Sequence, residues 1–282
     1  MSVSLNFHVS SVLFENINNK GVIRLSEPNS ILVLEHNTFN SITSEQEGGC
    51  VLLYPCGSIY QINICARSVY SATKGHYCYI NVSSSSKSIN YVSTISITNC
   101  NSKPSVTDMM WLGGGIESLS YYNSSNNNAK NSPGFYFGLS FGQSNASFVN
   151  ILSCTATTNS IFYSYSKLYT KYSNFYNNQV LDSTFYFIQV NINTSIVDHC
   201  VFSENTAQTL VNQKISFTSC SFNQNSFSSI SPFLPYKGSY SFIVETLCHL
   251  GKKNLCLTVH SCVPPYFTMN SFIFSLSLLT FV

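Results

Sequence analysis

The chain has 282 residues, 44% of them apolar and 14% aromatic, but only 9% charged, with a net charge of +2. That length can bury a substantial core, while so few Lys and Arg give no grip on nucleic acid or on an anionic membrane surface. Asn, Ser and Thr fill 99 positions, which disfavours helix interiors, and 21 Phe and 18 Tyr exclude a solvated, disordered chain.

The chain opens on strand-like alternation, with Val3, Leu5, Phe7 and Val9 set against Ser4, Asn6 and His8. No basic start or continuous apolar run marks a signal peptide, and an opening in mid-strand points to further sequence upstream. Short alternating segments recur at Ile31–Glu35, Ile95–Thr98, Phe148–Ile151 and Ile215–Thr218. Polar clusters such as Ser83–Ser88 and Asn123–Asn128 separate them, and no helical periodicity of useful length intervenes. Four glycosylation sequons begin at Asn81, Asn123, Asn145 and Asn193, of little weight in a chain this rich in Asn and Ser. Eleven Cys point to an oxidising compartment, and the odd count leaves a thiol free or paired to another chain in a disulfide-linked self-association.

The segments repeat. Ile196–Asn205 and Ser216–Asn225 share Cys-x-Phe-x-x-Asn, at Cys200, Phe202, Asn205 and at Cys220, Phe222, Asn225. A third copy, Ser173, Phe175, Asn178, has Ser for Cys; a fourth, Cys154, Ala156, Asn159, has Ala for Phe. With degenerate earlier copies the Cys-equivalent positions become 12, 37, 65, 100, 121, 154, 173, 200 and 220, a mean spacing of 26 residues. This composition and period predict a parallel β-helix of about nine irregular rungs over residues 1–240. Phe175, Phe202 and Phe222 should then form one inward column, and the aligned Asn should sit at the bends and cap neighbouring turns. Cys100, Cys154, Cys200 and Cys220 should face inward, with Cys200 and Cys220 within disulfide range across stacked strands.

Phe-x-x-Asn together with Gly-Gly-small-aliphatic, here Gly48-Gly49-Cys50-Val51 and Gly114-Gly115-Ile116, resembles the repeat of chlamydial polymorphic outer-membrane proteins and related protist surface proteins. The resemblance implies a right-handed, pectin-lyase-like parallel β-helix displayed outside a cell, with adhesion to a host or cell-surface protein or glycan as its role. It brings no catalytic residues and no cofactor.

Parallel β-helices also carry polysaccharide lyases and glycosidases, which need paired carboxylates or acidic residues with a basic partner. Asp108, Asp182 and Asp198 are the only Asp and lie far apart, while Glu15, Glu35 and Arg67 could meet only by stacking. Gly138-Leu-Ser140-Phe-Gly142 matches a nucleophile elbow, with Asp182 or Asp198 and His249 or His260 following in hydrolase order. A strand rather than a helix follows it, and a glycine-bounded turn accounts for it. Gly113–Gly115 reads as a tight turn, not a phosphate loop. The dense Tyr163, Tyr165, Tyr169, Tyr172, Tyr176 and Tyr186 suit either a half-wet sheet or a sugar-binding face.

Residues 241–263 read as a cap or linker, in which Cys248, His249, Cys256, His260 and Cys262 fit disulfides better than zinc. After Pro264-Pro265 comes an uncharged tail, 264–282. Its apolar part, 267–282, is long enough for a helix of about 24 Å and is read as a membrane-inserting anchor, against a lipid-anchor signal or a last strand. The expectation is a non-enzymatic, surface-displayed all-β solenoid. A carbohydrate-active enzyme and a self-assembling coat protein are the alternatives.

Overall fold

The computed structural model describes residues 5–83, 85, 87–100 and 108–229, with the backbone of two short segments at 275–276 and 279–281. The described residues form an all-β solenoid of parallel strands with no helix. Its first face stacks nine strands in register: Asn6–Ser10, Ile31–Glu35, Ser58–Ser71, Ile89–Thr98, Ile116–Ser125, Gln143–Leu152, Lys167–Lys171, Ile196–Asp198 and Ser216–Thr218. One column of that face runs from His8 through Val33, Tyr60, Tyr91, Ser118, Asn145, Tyr169 and Ile196 to Ser216. Eight steps cover 208 residues, a mean of 26. The longest step, from Tyr60 to Tyr91, includes the turn that carries Ser83, Ser85, Lys87 and Ser88. The shortest runs from Ile196 to Ser216.

Two corners recur at every level. Ser11, His36, Asn63, Thr94, Tyr121, Phe148, Tyr172, His199 and Ser219 all have φ between 50° and 58°. So do Asn16, Ser41, Ser68, Asn99, Asn126, Ser153, Asn177, Glu204 and Gln224, each five residues after its counterpart. Left-handed backbone costs a non-glycine residue about 1 kcal/mol or more. It persists here because ladder hydrogen bonds on both sides of each corner fix the chain direction.

The short arm between the corners carries the repeat. Its inward column is Phe14, Phe39, Ala66, Ile97, Ser124, Ile151, Phe175, Phe202 and Phe222. Phe175 and Phe202 stack at 4.7 Å, Phe202 and Phe222 at 4.9 Å. Where the column narrows to Ser124, the buried Tyr122 fills the space, its hydroxyl donating to the Gly134 carbonyl at 2.7 Å and its ring meeting Phe135 edge-on.

Immediately after the second corner stands a column of Ile42, Val69, Cys100, Asn127, Cys154, Asn178, Asn205 and Asn225. The aligned Asn do not take the left-handed conformation themselves; the preceding residue does, and the Asn caps. Asn205 Oδ1 accepts from the Asn178 backbone N–H at 3.0 Å, and Asn205 Nδ2 donates to the Phe175 carbonyl at 2.7 Å. Asn178 does the same for Cys154 and Ile151, Asn225 for Asn205 and Phe202, and Asn127 for Cys100 and Ile97. These bonds satisfy the backbone groups that the bend removes from the strand ladder.

This register corrects the sequence reading at four positions: Cys65 and Tyr121 are each one residue off the column, which holds Ile64 and Tyr122, and two cysteines belong elsewhere. Cys100 and Cys154 occupy the Asn column, five positions later than the Cys column, whose members are Asn37, Ile64, Ile95, Tyr122, Val149, Ser173, Cys200 and Cys220. Asn159 therefore lies outside the ladder, beyond the strand Thr155–Ala156. The two Gly-Gly pairs are not equivalent either. Gly48 and Gly49 precede Val51–Cys56, a strand of the second parallel sheet, which forms the third face of the solenoid, and align with Gly75 and His76, while Gly114 and Gly115 follow the strand Met110–Gly113 of the same sheet. A Cβ on Gly49 would lie 2.0 Å from the His76 carbonyl oxygen, so close backbone approach fixes that glycine.

Cys50, Cys56, Cys78, Cys100, Cys154, Cys200 and Cys220 are free and buried, and Cys65 is disulfide-bonded. The cap at 241–263 lies outside the described residues. Of the tail, only backbone pairing is described: Ser275–Leu276 runs antiparallel to Leu279–Phe281, which runs antiparallel to Ile23–Leu25. No helix among the described residues is long and apolar enough to cross a membrane.

Replacing Asn205 by Ala strands a buried N–H and a buried carbonyl. The expected loss is about 2–4 kcal/mol in chemical denaturation. Asn223→Ala, at an exposed neighbouring site, should stay within about 0.5 kcal/mol of the parent.

Candidate ligand-binding concavity

Strand alternation turns Lys167, Tyr169 and Lys171 outward and buries Leu168 and Thr170. The next level presents Ile196 and Asp198, and the one after it Ser216 and Thr218. The tall Tyr169 ring among shorter side chains leaves an open concavity of about 330 Å3, lined by Gln143, Tyr169, Ile196, Asp198 and Thr218. The Tyr169 hydroxyl donates to Asp198 Oδ2 at 3.3 Å, and His199 Nδ1 lies 2.8 Å from Asp198 Oδ1. Lys171 Nζ sits 5.7 Å from the ring centres of both Tyr169 and Tyr172. One aromatic ring, a carboxylate, an amide and a hydroxyl thus converge on one open space. Such a set recognises a polar ligand that has some apolar surface.

Most of the other external aromatics pack on one another, while Tyr54, Phe141 and Tyr176 are exposed with no ring stacked on them among the described residues. On the third face Tyr79, Trp111, Tyr136 and Tyr163 form a stacked ladder, with centroid separations of 4.5, 5.8 and 4.7 Å. At the first corner Tyr121, Phe148 and Tyr172 stack at 4.9 and 5.4 Å, and His199 continues the line at 5.3 Å. A ring stacked on both sides has no face left for a sugar, so these ladders bind the solenoid to itself. Among the described residues no aromatic ring stacks on Tyr169. The six tyrosines grouped by the sequence are distributed over different faces and corners, and only Tyr169 lines the concavity.

The candidates for catalysis are also separated. Ser140 Oγ donates to the Gly142 carbonyl at 3.2 Å and lies 3.1 Å from Ser144 Oγ, and the strand Gln143–Leu152 follows it. Asp182 bonds the backbone N–H and hydroxyl of Thr184. Glu35 faces His8 and His36, each at 3.4 Å. Glu15 shares a column with Asn40 and Arg67 and accepts from Asn40 Nδ2 at 2.5 Å. His249 and His260 lie outside the described residues. Among the described residues no group of three His, Cys, Asp or Glu is placed to hold a metal.

Two buried titratable groups, Glu117 and His76, carry no signal in the sequence motifs. Asn90, Glu117 and Ser144 succeed one another in an inward column that begins with Phe7, Leu32 and Ile59. All three are fully buried. Glu117 Oε2 accepts from Ser144 Oγ at 2.6 Å, while Glu117 Oε1 and both amide atoms of Asn90 have no partner among the described residues. Period-2 alternation could have found Glu117, because Leu119 is inward and Glu117 lies two positions before it. Burial holds its carboxyl well above the ordinary carboxylate range. His76, equally buried, accepts from the Ser71 N–H at 3.3 Å, and burial lowers its pKa to about 4.

Comparison with protein-family models, with curated proteins and with solved structures finds no match.

Both buried groups tie stability to pH. Glu117 stays protonated in the fold but ionises in the unfolded chain above about 4.5, so stability falls as pH rises from there towards its raised folded value. His76 takes up a proton more readily when unfolded, so stability falls as pH drops from about 6.5 towards about 4. Glu117→Gln should therefore lose less stability than the parent as pH rises above about 4.5. Urea denaturation midpoints across that range check it, and parallel curves would contradict it.

Proposed function

We propose that this chain is a non-enzymatic, surface-displayed protein that recognises a host or cell-surface protein or glycan through its first face. In this reading the solenoid is right-handed and pectin-lyase-like, like the polymorphic outer-membrane repeat proteins whose Phe-x-x-Asn signature it resembles. It is held at the outside of a cell, and the pairing of Leu279–Phe281 with Ile23–Leu25 favours a last strand over a membrane-inserting anchor for 267–282. The observation that carries the reading is the concavity around Tyr169. It collects an unstacked ring and hydrogen-bonding groups on a surface whose other aromatics are mostly consumed by stacking. Its lining holds one carboxylate, Asp198, whereas glycoside hydrolysis uses two, which favours binding over turnover.

A screen of the full chain against glycans and cells tests the reading. Tyr169→Ala and Asp198→Asn should each weaken retention at least about tenfold, a loss in the range for a desolvated aromatic or charged contact. Tyr163→Phe, in the stacked ladder, should leave it unchanged. Equal binding by all variants would remove the site. Cleavage of a polysaccharide that disappears with Asp198→Asn would move the reading to the enzyme.

A further inference from the structure

Cys200 and Cys220 occupy the same inward column on consecutive levels, because Val201 pairs Ser221 and Phe202 pairs Phe222. Each follows a left-handed corner residue, His199 or Ser219, which turns the side chain inward at the same angle. The sulfurs repeat one setting: Cys200 Sγ lies 3.2 Å from the Asp198 carbonyl, and Cys220 Sγ lies 3.3 Å from the Thr218 carbonyl. Both thiols are free and buried. Burial, with Cys220 beside it, raises the pKa of the Cys200 thiol, whereas the neighbouring Cys200 lowers that of Cys220.

No other free cysteine pair among the described residues is matched this way. The preceding member of the column is Ser173. Cys100 and Cys154 are separated by the level of Asn127. Cys50 stands one position out of register with Cys78, which pairs Val51, and burial raises both of those thiols. Parallel neighbours stand about 4.8 Å apart, inside the Cα range that disulfides span.

We propose that Cys200 and Cys220 are a redox pair that closes to a disulfide between levels when a hydroperoxide reaches Cys220. The Cys220 thiolate attacks the terminal peroxide oxygen, the O–O bond breaks, and the sulfur is oxidised to a sulfenic acid; the departing alkoxide or hydroxide takes up the proton Cys220 lost on ionising and leaves as alcohol or water. The Cys200 sulfur then attacks the sulfenic sulfur. The S–S bond forms, the Cys200 proton goes to the departing hydroxide, and water is released. An external dithiol reverses the reaction by exchange and is itself oxidised to its disulfide. The bond ties two levels together across the shortest step of the solenoid, closing a loop of 20 residues.

The test treats the full chain with one equivalent of hydrogen peroxide, alkylates the remaining thiols after denaturation, and digests with trypsin. Cleavage after Lys171, Lys214 and Lys237 separates the two cysteines into peptides 172–214 and 215–237. The proposal expects these peptides joined, lighter by two hydrogens than their sum, with loss of two alkylatable thiols that a dithiol restores. Cys200→Ser should stop the reaction at a Cys220 sulfenic acid that dimedone captures. Recovery of both parent peptides separate and alkylated would overturn it, as would Cys220 carried to sulfinic acid without a link.

Discussion

Every level of this solenoid has to turn the chain through two left-handed corners five residues apart, and that constraint organises the rest. Eighteen non-glycine residues hold φ near +50° to +58° at these corners, a conformation most side chains resist. One such corner would be a weak point. Stacked in register, each is clamped by the levels above and below, because its N–H and the carbonyl of its neighbour belong to inter-level ladders. At the second corner the backbone groups left over by the bend are taken up by an amide side chain from the next level, as with Asn205 on Asn178 and Phe175. The outer surface is free to vary, and the concavity at Tyr169 exists because nothing in the ladder dictates what stands there.

The same logic explains the composition. Small polar side chains tolerate the corners and cap them. Aromatic rings fill the inward column and zip the outer faces, as Tyr79, Trp111, Tyr136 and Tyr163 do. Charges have little structural work in such a molecule. Glu117 enters the core beside Ser144 and Asn90, and is kept neutral by burial. Acid and base therefore act on different buried groups, His76 at one end of the range and Glu117 at the other.

The parallel solenoid and its mean step were legible because Phe175, Phe202 and Phe222 keep the ring, and Asn178, Asn205 and Asn225 keep the amide, over three consecutive levels. The earlier levels were not. Ala66 and Ser124 stand in the Phe column, with bulk supplied from another position by Tyr122, so the motif disappears although the register continues. Cys100 and Cys154 were assigned to the wrong column because the chain places cysteine in two inward columns, and spacing alone does not tell them apart. The concavity was legible only as a density of tyrosines. Which of them is stacked and which is open depends on rings contributed by neighbouring levels about 24–32 residues away.

Amide hydrogen exchange at the second corner tests the central claim most directly. The backbone N–H groups of Cys100, Cys154, Asn178 and Asn205 lie at a corner, where only the amide oxygen of the next level holds them. The account predicts that they exchange as slowly as the amides of the flanking strands. Exchange at the rate of an open loop would contradict it.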